Sequence, residues 1–397
     1  MTRPLMRLLP VLIILVLALA APLAAQMDPN VVPKRPTLPA GGDPNSAPDY
    51  FWFGMSKLVK EPETAAAAFY WASRIDPSWA DPIYSRHVAL LLAQPYRLID
   101  VYMRKRREDL HEPRLEAIDS LYYVAIVVNP WVNRRIERVL LLTWLQTDLD
   151  GRRIPAYVRQ ENPALGAWLS YAEGKFDSSA TQYAAAIAKY PDDHIVRFWR
   201  ALPFVALGRT DSAIAAVQGA LTAFRTSAAE SLDFRYVGHP FMEYSLGLLY
   251  EAGQQPDSAR AAYERSLLDD LTFYPSHRKL GNLRLMAGDT AGALAEFEQA
   301  AELAPKDVLT LYDYAMLSIA AGQAGTGVEL LKRASEAEPF FLPPHFTLAR
   351  LYDQSGFAED AIKEYQTFLR LAPRTMATQV AAVRARLTAL GAASSAP

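Results

Sequence analysis

Residues 274–307 read YPSHRKLGNLRLMAGDTAGALAEFEQAAELAPKD, and their reading decides the fold. Apolar side chains recur at helical rather than alternating spacing on both sides of Gly288-Asp289-Thr290. Within that triplet a glycine that tolerates positive φ ends one helix, and side-chain oxygens cap the next. Gly281 and Ala293 are small where bulky Phe297 must fit, the arrangement by which two helices interdigitate. Outward from this stretch, Pro305, Pro339 and Pro373 are 34 residues apart, and Gly288, Gly322 and Gly356 repeat at the same interval. A constant period of this size means stacked supersecondary units.

In register, units begin at Gln160, His194, Pro240, Tyr274, Val308 and Leu342. Their eighth places are Ala167, Ala201, Gly247, Gly281, Ala315 and Ala349, and their twentieth are Ser179, Ala213, Ala259, Ala293, Gly327 and Ala361. Four residues further stand Tyr183, Val217, Tyr263, Phe297, Leu331 and Tyr365, which fill the space the small residues leave. In the 240 unit the glycine falls one residue early, at Gly253, and an altered turn is expected there. Leu280-Gly281 followed by Ala293, Phe297, Ala300 and Pro305 resembles the tetratricopeptide repeat. Trp, frequent in the family's fourth place, is replaced by Glu243, His277, Leu311 and His345. The resemblance implies an all-α, right-handed superhelical solenoid of helical hairpins, whose concave face is lined by the first helix of each repeat. Carried over place by place, it implies a peptide-binding groove of Tyr244, Leu248, Arg278, Asn282, Leu285, Tyr312, Met316, Phe346, Arg350 and Asp353. Arg278 and Asn282 share a helical face and resemble half of the family's carboxylate clamp. Asp313, Pro343 and Thr347 stand where the rest of that clamp would be, so the expectation is a mixed aromatic, apolar and polar groove rather than a site for an acidic tail.

Upstream, Ala65, Phe69, Ala72 and Pro77, then Tyr122, Ala125 and Pro130, echo the same spacing. The expected organisation is a signal peptide over 1–25, a Pro-rich disordered linker over 26–48, a degenerate repeat-like helical region over 49–159, two repeat-like units over 160–227 and an irregular insertion over 228–239. Four tandem repeats follow over 240–375, then a capping helix over 376–390, which Phe368 is expected to meet, and a disordered tail over 391–397. Arg3 and Arg7, an apolar run from Leu8 to Ala21 and the small residues before Gln26 form the signal; an uncleaved membrane anchor is the alternative. The expected destination is the periplasm or the exterior.

The 397 residues are 51% hydrophobic and 21% charged, ordinary for a folded soluble chain, and a net charge of -2 lacks the basic excess of a nucleic-acid binder. With no cysteine, disulfides, thiolate nucleophiles and Cys-ligated metals are excluded. No His-Glu-x-x-His, Walker loop, G-x-S-x-G elbow or dinucleotide fingerprint occurs. Gly322, Gly325 and Gly327 fall at repeat turns rather than after a strand. His277 and His345 share a repeat place two units apart, too far for one metal ion, and Asp192-Asp193 before His194 reads as a helix cap. Arg104-Lys105-Arg106-Arg107 reads as a solvated face. No catalytic residue, cofactor or metal is expected. The expected function is an exported scaffold that binds an envelope protein or peptide segment, with membrane association only if the signal is retained. All seven Trp precede residue 200, which leaves a carbohydrate-binding or carbohydrate-processing protein as the alternative; exposed, coplanar indoles in a trough would favour it.

Overall fold

The computed structural model describes residues 31–93, 113–139, 163–226 and 237–392. The signal segment, the basic run, His111, Trp144, most of the 228–239 insertion and the final residues lie outside them. Among the described residues all regular structure is helical. The helices are α1 (Ala47–Lys57), α2 (Pro62–Ile75), α3 (Ala80–Leu92), α4 (Pro113–Val128), α5 (Pro163–Ala172), α6 (Phe176–Lys189), α7 (His194–Trp199), α8 (Ala201–Ala206) and α9 (Thr210–Thr226). They continue as α10 (His239–Ala252), α11 (Pro256–Asp269), α12 (Tyr274–Met286), α13 (Thr290–Leu303), α14 (Val308–Ala320), α15 (Ala324–Ala337), α16 (Leu342–Gln354), α17 (Ala358–Leu371) and α18 (Ala377–Ala389). Consecutive helices pack as antiparallel hairpins, and each hairpin stacks on the next, which makes an all-α solenoid.

Local chemistry sets the boundaries. The carboxylates of Asp193, Asp289 and Asp307 accept from the backbone N–H of Val196, Gly292 and Thr310, each at 2.9 Å, so acids stand at helix starts where orphan donors need them. Gly288 ends α12 at φ 81°, with the Asp289 N–H donating to Arg284 O at 2.9 Å. The 240 unit does not alter this turn. Gln254 takes the left-handed place at φ 57°, and the Gln255 N–H reaches Tyr250 O at 2.8 Å, the same bond one repeat earlier. The first helix of the 194 unit is broken into α7 and α8 at Arg200, because Pro203 has no N–H to give the Trp199 carbonyl.

Packing follows the small-against-large rule. A Cβ on Gly281 would stand 2.9 Å from two ring carbons of Phe297, which is 1% exposed, and Gly247 is covered in the same way by Tyr263. Phe368 joins Val383 and Leu387 of α18 in one apolar cluster, and α18 closes the far end of the stack.

The two ends of the solenoid meet. The Tyr244 hydroxyl on α10 donates to Val127 O at the end of α4, 3.0 Å away, and Trp71 on α2 stands edge-on to Phe340 in the loop between α15 and α16. Arg74 on α2 pairs with Glu338. The Pro-rich segment also departs from the disordered linker expected of it. Over residues 33–46 it lies along this seam, with Asn45 Nδ2 donating to Arg370 O at 2.8 Å and the Arg374 N–H donating to Asp43 Oδ2 at 2.6 Å. Proline prevents the segment from forming helix, but docking needs neither helix nor ladder, only partners for its few free polar groups.

Candidate functional site

The first helices α10, α12, α14 and α16 carry the ten residues expected to line the groove, and tertiary contacts divide them. Tyr244 is 4% exposed, held by its bond to Val127 O and enclosed by the rings of Tyr263 and Phe273 at 5.8 and 5.5 Å. Burial pushes its hydroxyl above the ordinary tyrosine range. It belongs to the packing between the two halves and is removed from the groove. Phe346 turns toward Phe368 of α17, ring to ring at 4.9 Å, and is core of the last repeat. Asp353 is committed to the cap: Arg386 of α18 grips both its oxygens at 2.7 and 2.6 Å, and the Tyr365 hydroxyl donates to it at 3.1 Å. These bonds, Arg386 foremost, hold its carboxyl below the usual carboxylate range.

Arg278 is likewise engaged. Its Nε donates to Asp313 Oδ2 at 2.9 Å, between side chains that are both half-buried. Burial works against the guanidinium charge, but Asp313 and Asp307 more than offset it, and the Arg278 pKa is raised. The joint Arg278–Asn282 clamp is therefore not assembled, since Arg278 turns to a neighbouring helix. The wall pairs its charges elsewhere too, with Lys279 Nζ on Glu251 at 2.8 Å.

Six of the ten expected residues are not committed to such contacts. Leu248 and Tyr312 are half-buried, Tyr312 edge-on to Phe341 at 5.9 Å. Asn282 is half-buried with no hydrogen-bond partner among the described residues. Leu285 and Met316 are each 41% exposed, Met286 beside them is 81% exposed, and Arg350 is exposed with its guanidinium 5.9 Å from the Phe346 ring. The ion-paired Arg278 and Lys279 and the exposed Arg350 alternate here with exposed apolar side chains.

His277 and His345 act as structural groups. His277 Nδ1 meets Glu296 at 2.8 Å and His345 Nδ1 meets Glu364 at 2.7 Å, the same two places of the repeat. The Glu296 bond raises the His277 pKa, against the opposing effect of burial. In the 240 unit Glu243, in that fourth place, is 1% exposed and takes a two-pronged contact from Arg265 at 2.9 and 2.8 Å. Polar residues at a place where the family often has Trp were the sequence signal for these pairs. The six described Trp form no trough. Trp71 and Trp199 are buried, Trp79 donates to Asp81 at 2.9 Å, Trp168 donates to Glu137, Trp131 stacks on Phe198, and Trp52 is 65% exposed and edge-on to Phe51 at 5.1 Å. The carbohydrate alternative loses the arrangement on which it depended.

Solenoid and register define the class of repeat: residues 165–228 and 244–340 are built of tetratricopeptide repeats. Models described as "Tetratricopeptide repeat" match residues 165–228, 244–308 and 284–340. No curated protein matches the chain. Among solved structures, PilW, titled a widely conserved type IV pilus biogenesis factor, is 16% identical, over 51% of this chain and 89% of its own, with a TM-score of 0.40. YrrB, titled a TPR protein with an unusual peptide-binding site, is 16% identical over 48% of this chain and 92% of its own, with a TM-score of 0.38. MamA from Desulfovibrio magneticus RS-1 is 12% identical over 45% of this chain and 93% of its own, with a TM-score of 0.37.

Proposed function

We propose that this chain is a non-catalytic interaction scaffold that receives a protein segment on the concave wall of α12, α14 and α16, after export to the periplasm or the exterior. The observation that carries this reading is the exposure of Leu285, Met286 and Met316 on helices where Arg278 and Lys279 are already paired with Asp313 and Glu251. Unbranched Met side chains re-pack around different partners, and with Arg278 and Lys279 already ion-paired the exposed apolar groups favour an apolar segment over an acidic tail. Export rests on the basic, apolar and small-residue order of the first 25 residues. Retention of that segment would instead anchor the scaffold to a membrane.

The test is a crosslinked capture from native envelope with the mature chain, beside a Leu285→Asp/Met316→Asp variant of unchanged helicity. A protein captured by the first and lost from the second supports the wall as its site. Equal capture by both would remove the wall from the reading, and fractionation that leaves the chain in the cytosol would remove export.

A further inference from the structure

The seam between the ends of the solenoid has the anatomy of a peptide complex. Residues 33–46 carry Pro33, Pro36, Pro39 and Pro44, which fix φ and lower the entropy lost on docking; the segment turns back on itself, with the Gly42 N–H donating to Pro39 O at 2.9 Å, Gly41 at φ 89° and the Arg35 guanidinium donating to Pro44 O. Near the start of this strap the Arg35 guanidinium sits among three rings, 4.9 Å from the centroid of Trp71, 5.3 Å from Tyr50 and 5.7 Å from Phe340, and its Nε donates to the Tyr50 hydroxyl at 2.9 Å. The Trp71 indole N–H donates to Pro33 O at 3.2 Å. The other end is held by backbone and amide recognition. Asp43, 8% exposed, accepts from the Arg374 N–H; Arg374 Nη1 donates to Gly41 O at 3.0 Å; and Asn45 Nδ2 donates to Arg370 O at 2.8 Å. One arginine in an aromatic cage and one Asx pair reading backbone are specific anchors, and Tyr50 of α1, Trp71 of α2 and Phe340 of the α15–α16 loop build the cage.

We propose that this seam is a recognition site for a turned, proline-rich segment bearing an arginine, that residues 33–46 are its resident ligand, and that a partner segment of the same chemistry enters by displacing them. This site lies apart from the concave wall and stands or falls without it. The strap is tied to the site by the chain itself, which gives it an effective concentration of order mM, so an outside segment binds only when the strap is weakened or the competitor is the tighter ligand.

The experiment uses the full mature chain and a fluorescent peptide of residues 31–46, followed by anisotropy. Wild type should bind it at least tenfold more weakly than an Arg35→Ala/Asp43→Ala chain, in which hydrogen exchange over residues 33–46 should rise while helicity holds. A peptide carrying Arg35→Ala should lose at least tenfold on the released chain. Because the protein has no cysteine, an Asn45→Cys/Ala372→Cys pair in the released background can lock the strap by a single disulfide, and oxidation should abolish peptide binding. Should the double variant lose helicity, Arg374→Ala makes the same comparison from the opposite side. The proposal is overturned by equal binding to wild type and released chain, by a released strap with no peptide binding, or by undiminished protection of residues 33–46 in the variants.

Discussion

Replacing Gly281 by Ala should destabilise the protein, although alanine is the better helix former. An added Cβ would lie 2.9 Å from two ring carbons of Phe297 and 3.3 Å from a third. Carbon atoms rest at about 3.5–4.0 Å, so the ring or the helix must retreat by roughly 0.6–1 Å. Phe297 has no slack, being 1% exposed with the Tyr314 ring stacked against it, the two planes 8° apart. Overpacking of this kind costs about 1–3 kcal/mol, and the helix propensity of alanine returns about 1 kcal/mol, leaving a net loss of up to roughly 2 kcal/mol. Gly325 is the control: it is helical and exposed, and a Cβ there would meet nothing within 4 Å. Gly325→Ala should therefore stabilise by about 0.5–1 kcal/mol. Urea unfolding followed by far-ultraviolet circular dichroism reads both changes, with hydrogen exchange of α12 and α13 locating the effect, since a repeat array need not unfold in one step. Phe297→Leu should recover part of the loss in the Gly281→Ala background, because Ala315 and Leu331 occupy the same two places one repeat later. If Gly281→Ala stabilises as Gly325→Ala does, the ring does not lie on that helix and the repeat register is wrong.

Gln254→Gly should stabilise by about 0.5–1 kcal/mol in the same assay, since glycine relieves a left-handed residue costing roughly 1–2 kcal/mol and returns some of that as unfolded-state entropy. Arg278→Ala should cost about 1 kcal/mol, because it strands the half-buried Asp313 carboxylate, and Arg278→Ala/Asp313→Ala should recover most of that loss. The raised pKa of His277 has a definite sign: its stabilisation is complete below the ordinary value of 6.5 and is lost as pH rises through the folded value, so the advantage of wild type over His277→Gln should shrink as pH climbs above 6.5. Unfolding midpoints of the pair, measured across that range with the His277 titration followed by NMR, check it; an advantage that grows with pH would be the wrong sign.

The repeat register was legible in the sequence because its causes are local and recur: a glycine at the turn, an acid at the cap and a small residue sixteen places before a large one all act within one hairpin. Phe297 against Gly281 is the direct product of that spacing. The candidate site was legible only as a set of places. The first helices supply its residues, but Tyr244 is withdrawn by Val127 across 117 positions, Asp353 by Arg386 across 33 and Arg278 by Asp313 across 35.

The sequence by itself determined the helices, their pairing and the period at which the pairs stack, since these depend on backbone sterics and neighbours a few turns away. Only the tertiary structure decided that the stack brings its two ends together. That outcome depends on small rotations summed over every repeat, and no single repeat encodes the sum. With the ends in contact, a Pro-rich stretch that reads as free tether acquires partners for Arg35, Asp43 and Asn45, more than 300 residues away at Phe340, Arg370 and Arg374.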